Sequence, residues 1–263
     1  MYTAHTSEHT ALRGGGGDVE NAWPKHADTF ADPYEAAAVR GAVSQCEAAV
    51  QRGFLKKVFG LVGAQLSATA LVCAVFMLHP AVRAFVLMSP SMLFVTFLGA
   101  LGFLFAASAK KDEHPTNLWM MAGFTLCMSW SIGAVCAAYY AKGLGLIVLE
   151  ALGITASVTV GLTVYTFRSK TDFSYLGAGL GAGLWVLIAG GLVSALTAAP
   201  MLHLAMAVGG AALFSLYIVY DVYLIANRLS PDEYVFAAIS LYLDIANLFL
   251  NILRILGEMS GRD

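Results

Sequence analysis

The chain has 263 residues, of which 59% are hydrophobic and only 12% are charged, and its mean hydropathy is +0.72. This composition excludes an ordinary soluble domain and indicates an integral membrane protein. The formal net charge of −2 leaves no surplus of cations to neutralise a phosphate backbone, so nucleic acid is not an expected partner.

The N-terminal segment differs in composition from the rest of the chain. Residues 1–52 contain a run of glycines at 14–17, scattered acids and no sustained apolar period, which predicts a flexible cytosolic tail. We assign residues 53–257 to a transmembrane domain and residues 258–263 to a short C-terminal tail.

Seven apolar runs follow Arg52, and each is long enough for the helix of about 20 residues that crosses a bilayer. The breaks between them carry proline, glycine or charged residues. We predict an all-α integral membrane protein, a bundle of seven transmembrane helices. The runs are Val58–Leu78, Ala84–Ala109, Leu118–Tyr140, Leu144–Phe167, Tyr175–Ala198, Met201–Ala226 and Tyr234–Leu256.

Lys and Arg fall mainly in the tail and in the loops after the second, fourth and sixth runs, whereas the opposite loops hold only Arg83 and Lys142. The positive-inside rule therefore places the N-terminus in the cytosol. Seven full crossings would put Arg254 and Arg262 on the other side, and a re-entrant last segment is an alternative that would remove this conflict.

The cysteines show neither the spacing of a zinc site nor that of a disulfide framework. They are Cys46, Cys73, Cys127 and Cys136. Three of them lie inside apolar runs, where we interpret them as small buried hydrophobic residues. No cofactor is expected.

Three acids lie well inside the apolar runs, namely Glu150, Asp221 and Asp244. An ionisable group at bilayer depth costs roughly 2.5–3.5 kcal/mol, so such a group is expected to face the bundle interior and to have a partner or a function. On a helix of 100° per residue, Asp244 shares an arc of about 80° with four other polar side chains. These are Ser240, Asn247, Asn251 and Arg254.

Asp221 and Asp244 are expected to meet. The sixth and seventh runs are joined by a short loop, and the depths of the two acids differ by only roughly 8 Å at 1.5 Å per residue. Tyr217, one turn before Asp221, is a candidate hydrogen-bond partner. Two charges 4 Å apart repel by about 4 kcal/mol at an effective dielectric of 20, so we expect the pair to share a proton.

Loss of that proton would separate the helices or attract Ca²⁺, a hard ion that prefers carboxylate oxygen. The pair is therefore a candidate proton sensor on an ion path and a transient calcium site. The structural alternative is that each acid pairs with a base, Arg254 or Lys110 and Lys111, and only holds the helices together.

The sequence SLYLDIANLFLNILRILG at residues 240–257, preceded by YD at 220–221 and SPDEY at 230–234, resembles the signature of the Bax-inhibitor transmembrane family. The sequences FLKKVFG at 54–60 and GLTVYTFRSKTDFS at 161–174 are similar to its lifeguard branch, which includes the Golgi anti-apoptotic proteins. The resemblance covers about residues 51–257.

This resemblance implies a pH-sensitive calcium leak channel of intracellular membranes that lowers stored calcium and restrains stress-induced cell death. The family's paired acids map onto Asp221 and Asp244, and its basic latch onto Lys110 or Lys111. Members of this branch tend to carry a Glu close after the sequence GFTL in the third span. In this chain GFTL at 123–126 is followed by Cys127, and Glu150 is a candidate to take the place of the missing acid.

The implied location is the Golgi or the endoplasmic reticulum, and the implied partners are membrane lipid, calcium, protons, and cell-death regulatory proteins or other calcium channels. Two alternatives stay open. Asp221 and Asp244 are also the residues that an intramembrane aspartyl protease would need, although the Gly-x-Gly-Asp sequence of those enzymes is missing at Asp244. The second alternative is a non-conducting membrane scaffold that acts through partner proteins. We do not expect an enzyme.

Overall fold

The computed structural model describes residues 41–110, 113–197 and 200–260, and within these residues the chain forms helices and short connections without a β-strand. Seven of the helices are long and apolar enough to cross a membrane, which confirms the predicted fold class. The helices are α1 (Ala48–Leu78), α2 (Pro80–Leu87), α3 (Ser91–Ala109), α4 (Thr116–Ala141), α5 (Gly145–Arg168), α6 (Leu176–Thr197), α7 (Pro200–Asn227) and α8 (Tyr234–Ser260).

The first span begins earlier than its apolar run. Helix α1 starts at Ala48 and not at Val58, and the residues just before it are also folded. Val43 is buried and its N–H donates to the carbonyl of Leu229 at 2.9 Å. Val43 at the end of the predicted tail therefore packs on the bundle, and residues 48–52 belong to α1, whereas residues 1–40 lie outside the described residues.

The second apolar run is not one helix. Helix α2 ends at Leu87, and α3 starts at Ser91, directly after Pro90. Proline lacks an N–H to donate and disfavours helical dihedrals in the residue before it, so the helix breaks at Ser89. The 19 residues of α3 are the candidate span.

The basic residues are distributed unequally between the two ends of the bundle. One end, here called the basic end, holds the start of α1 and the connections after α3, α5 and α7, with Lys56, Lys110, Arg168 and Arg228. The other end, here called the opposite end, holds Lys142 between α4 and α5. Helix α8 is continuous over 27 residues, about 40 Å at 1.5 Å per residue. It contains no turn at which a re-entrant segment would reverse its direction.

Helix α8 lies at the centre of the bundle. It is the most buried of the candidate spans and contacts α1, α4, α5 and α7. Helices α3 and α6 are the least buried spans, and they carry exposed aromatic side chains such as Phe94 and Trp185. Such an apolar exterior suits contact with lipid and not with water.

Candidate functional site

The connection between α7 and α8 sets the register of the two helices. Ser230 and Glu233 form a capping box in the 3₁₀ turn Pro231–Glu233, with the Ser230 N–H donating to Glu233 Oε2 at 3.0 Å. Each residue satisfies a backbone donor of the other, which fixes how the chain enters α8. The helices therefore run antiparallel, and Asp221 and Asp244 lie at similar depth.

The carboxyl groups of Asp221 on α7 and Asp244 on α8 lie beside each other in the core; we call them the dyad. Asp221 is 8% exposed and Asp244 is 6% exposed, and their side chains are within hydrogen-bonding reach of each other. Asp244 Oδ2 is buried and has no hydrogen-bond partner among the described residues. Ionised carboxylates only accept hydrogen bonds, so a proton on the pair would supply the donor that this oxygen lacks.

Two of the predicted neighbours lie next to the dyad. Tyr217 is close enough to interact electrostatically with both carboxyls, and its ring stacks on Phe214 with the ring centroids 5.9 Å apart. Ser240 and Asp221 line a cavity of about 10 Å³, which is the space of about one water molecule.

The rest of the predicted polar stripe lines a larger cavity between α6, α7 and α8. Asn247, Asn251 and Arg254 form its polar wall, and its volume is about 240 Å³. The Asn247 amide donates to the carbonyl of Leu243 at 2.8 Å, and the Asn251 amide donates to that of Asn247 at 2.8 Å. Both amide N–H groups are thus used in hydrogen bonds within α8. Asn247 and Asn251 lie between Asp244 and the opposite end of the bundle.

A third cavity, of about 180 Å³, lies on the other side of the dyad, at the basic end. Ser108 of α3 and Asp232 and Glu233 of the 3₁₀ turn give it a polar wall. Phe236 lines both this cavity and the small one at Asp221. The three cavities thus follow one another along the axis of α8, and Phe236 is shared by the basic-end cavity and the small cavity at Asp221.

The candidate latch residues do not reach the dyad. Lys110 Nζ lies 2.7 Å from Glu113 Oε2, and both side chains are exposed. Lys111 lies outside the described residues. Glu150 is exposed on the outer face of α5. Lys110 and Glu150 therefore do not approach Asp221 or Asp244 in this structure.

A second buried polar cluster was not predicted. It joins α1, α4 and α8 through Thr69 Oγ1, which lies 2.9 Å from both Ser129 Oγ and the Tyr242 hydroxyl. Gln65 Nε2 donates to Thr125 Oγ1 at 3.0 Å. The signal was present in the sequence, because polar residues four apart share one face of a helix on both α1 and α4.

The dyad alone is a sparse metal site. Within the described ranges, no group of three or more His, Cys, Asp and Glu side chains is placed to hold a metal ion. Ca²⁺ takes six to eight oxygen ligands, so two carboxylates would need water to complete the shell.

Fold and site together define a multi-pass membrane protein with an ionisable pair in the core of seven candidate spans. Comparison with known proteins then gives the family. A family model described as Inhibitor of apoptosis-promoting Bax1 matches residues 51–261, and the chain belongs to this family, which confirms the resemblance.

Three relatives illustrate how far the similarity extends. Protein lifeguard 4 of Mus musculus is 41% identical over 220 residues, which cover 84% of this chain and 91% of that protein. The Golgi anti-apoptotic protein of Vaccinia virus (strain Lister) is 37% identical over 220 residues, with the same coverage. Bax inhibitor 1 of Schizosaccharomyces pombe is 37% identical over 222 residues, or 84% of this chain and 82% of that protein.

Proposed function

We propose that this protein is a calcium leak channel of an intracellular membrane and that the protonation of the dyad controls it. The observation that carries the proposal is the burial of Asp221 beside Asp244 between polar-lined cavities along α8. An ionisable pair at bilayer depth is costly to keep unless it serves a path for ions or protons.

The charge of the dyad determines whether the ion path is closed or open. With one shared proton, the carboxyls hydrogen-bond to each other and hold α7 against α8. Without it, two charges 4 Å apart repel by about 4 kcal/mol at an effective dielectric of 20. This repulsion favours separation of the helices or entry of a cation. Acid therefore closes the path and a rise in pH opens it.

The oxygen atoms along α8 suit a hard cation. The dyad would supply carboxylate oxygen, and Ser240 and the amide oxygens of Asn247 and Asn251 would supply weaker ligands on the way. Conduction needs binding that is favourable enough to admit the ion and weak enough to release it. The sparse donor set of the dyad fits this requirement.

The names of the relatives support a proposal for the cellular role. One of them is named a Golgi anti-apoptotic protein and another Bax inhibitor 1. We infer that this chain also restrains cell death, by lowering the calcium stored in the Golgi or the endoplasmic reticulum, with its N-terminus in the cytosol. Cell-death regulatory proteins or other calcium channels are the partners that this role would require.

The test is calcium flux into liposomes that contain the purified protein, measured from about pH 5 to about pH 8. Asp221→Asn and Asp244→Asn should each abolish the dependence of flux on pH, bringing the ratio of fluxes at the two ends to about one. The asparagine amide donates to the remaining carboxylate and leaves no shared proton to lose. Wild-type flux that does not change with pH, or variants that keep the wild-type profile, would refute the proposal.

Asp172→Asn is the matched control, because Asp172 is an exposed acid in the connection before α6. Hydrogen bonds from the Tyr223 hydroxyl and the Ser174 N–H lower the pKa of its carboxyl. A lowered pKa stabilises the fold above the ordinary value of about 3.9, and this contribution is lost only as the pH falls below it. Its titration therefore lies outside the tested range, and the control should keep the wild-type profile.

A further inference from the structure

One cavity of the described structure is not part of the dyad path. It has a volume of about 470 Å³ and lies among α1, α4, α5 and α8. On α8 it is lined by Tyr242 and Ala246, which at 100° per residue are each about 160° from Asp244 around the helix. The cavity and the dyad therefore lie on opposite sides of α8.

The walls of this cavity are apolar. None of its lining residues is Asp, Glu, Lys, Arg or His. The hydroxyls of Thr69 and Tyr242 form a hydrogen bond with each other, and the Thr155 hydroxyl donates to the carbonyl of Ala151 at 2.7 Å. Thr159 Oγ1 is buried and has no hydrogen-bond partner among the described residues. A buried water needs two to four polar partners, so one spare hydroxyl does not hydrate the cavity.

An apolar cavity of this size is costly to leave empty. The cost of a void rises with its volume, and an engineered apolar cavity of about 150 Å³ already binds benzene. The cavity here is about three times larger and falls within the range of about 300–1,000 Å³ typical of small-molecule sites. Its volume and dry walls point to an apolar occupant.

The shape and the opening identify the occupant. The lining of α5 extends from Val148 to Val160, a rise of about 18 Å, which is more than half of a hydrocarbon core of about 30 Å. Leu149, Leu152 and Val160 line the cavity and are also 59%, 50% and 63% exposed on the outside of the bundle. The cavity is thus an elongated slot that continues into the surface facing lipid.

We propose that this slot binds one hydrocarbon chain of a membrane phospholipid, inserted between α1 and α5. The charged headgroup stays outside, because no lining residue carries a charge to receive it. The chain covers the inner wall of the slot at Phe249 of the central helix α8, which lines the cavity and is half-buried. The proposal does not depend on calcium conduction.

The test uses the full chain in nanodiscs that contain phosphatidylcholine with a photoactivatable diazirine on one acyl chain. After irradiation, mass spectrometry maps the labelled residues. We expect label on the inner wall at Phe249, and also on Leu71, which is 67% exposed on the outside of α1. Label on Leu71 without label on the inner wall would overturn the proposal.

Two substitutions that fill the slot test its occupancy from facing walls, Ala74→Phe on α1 and Ala156→Phe on α5, since both alanines line the cavity. Each should reduce inner-wall labelling by about tenfold, because overpacking an apolar site expels its occupant. Ala64→Phe is the matched control, because Ala64 is exposed on α1 and is not a lining residue.

Labelling of Leu71 should be the same in all three variants, which shows that each protein is folded in its bilayer. Inner-wall label that persists in both filled variants would overturn the proposal. A parallel experiment uses a diazirine-bearing sterol. If the sterol labels the inner wall and unlabelled phospholipid does not compete with it, the occupant is a sterol and the assignment to a phospholipid chain is wrong.

Discussion

At the scale of single residues, the protein's chemistry depends on acids whose surroundings differ sharply. Asp221 and Asp244 have each other as neighbours inside the bundle, whereas Asp172 is exposed and its Oδ2 lies 3.3 Å from Arg228 Nη2. Two carboxyls that are buried side by side repel each other when both are ionised, whereas the exposed Asp172 has a base beside it. The proposed pH sensor is therefore a property of this pair and not of acids in general.

Phe236 lines both the basic-end cavity and the small cavity at Asp221, and we expect its side chain to restrict movement between them. Hydrophobic constrictions close pores by excluding water. We expect Phe236→Ala to raise calcium flux at about pH 8 by roughly tenfold, equivalent to a barrier lowered by about 1.4 kcal/mol. Liposome flux measured as for the dyad variants checks this.

Phe214→Ala is a suitable comparison for this change, because Phe214 is an aromatic residue of the cavity of about 240 Å³ between α6, α7 and α8, beyond the dyad. It should leave the basic-end constriction intact and raise the flux much less. Equal flux in Phe236→Ala and wild-type protein would show that Phe236 does not form the constriction.

At the scale of helices, the contact between α7 and α8 depends on close approach at Gly210. This glycine is buried, and a Cβ built on it would lie 2.5 Å from Asn251 Oδ1 and 2.7 Å from its Cγ. Distances this short force Asn251 to move from the cavity wall or α7 to move from α8. The neighbouring Gly209 is exposed, and a Cβ there would lie no closer than 3.9 Å to Leu187.

The two glycines make a matched pair of substitutions. We expect Gly210→Ala to destabilise the protein by about 1–3 kcal/mol through overpacking. Gly209→Ala should be neutral or stabilising by up to about 1 kcal/mol, because alanine is the better helix former. Unfolding of each variant in detergent, followed by circular dichroism, measures both effects. Equal stability of the two variants would contradict the tight contact at Gly210.

At the scale of the whole molecule, the distribution of charge predicts the orientation of the bundle. The basic end should face the cytosol, and seven crossings then place the two termini on opposite sides. We expect an epitope tag at the N-terminus to bind antibody when only the plasma membrane is permeabilised. A tag at the C-terminus should bind only after all membranes are permeabilised. Access to both tags in the first condition would contradict seven crossings.

Much of this architecture follows from local composition. Bilayer thickness sets the length of each apolar run, and the ends of a helix are marked by residues that interrupt it, so the seven spans could be predicted without knowing their neighbours. The exceptions have local causes too. Pro90 breaks the second run, and α1 extends to Ala48 because polar residues outside the membrane still favour a helix.

The rarity of acids in apolar runs likewise singled out Asp221 and Asp244, since burial of charge is costly in any membrane protein. Their short loop connection gave their similar depth. The sequence could not give the place of Lys110 or Glu150, because a salt bridge or a lipid-facing position depends on which way each helix is turned. Lys110 pairs with Glu113, and Glu150 faces outward.

The amino-acid sequence by itself thus determined a bundle of seven helices with two acids at matching depth, because hydropathy and helix period are properties of neighbouring residues. Only the tertiary structure decided that α8 occupies the centre, that Phe236 lines two cavities at once, and that an apolar slot lies behind Tyr242. These features depend on the rotation and packing of helices far apart in the chain, which local periodicity does not specify.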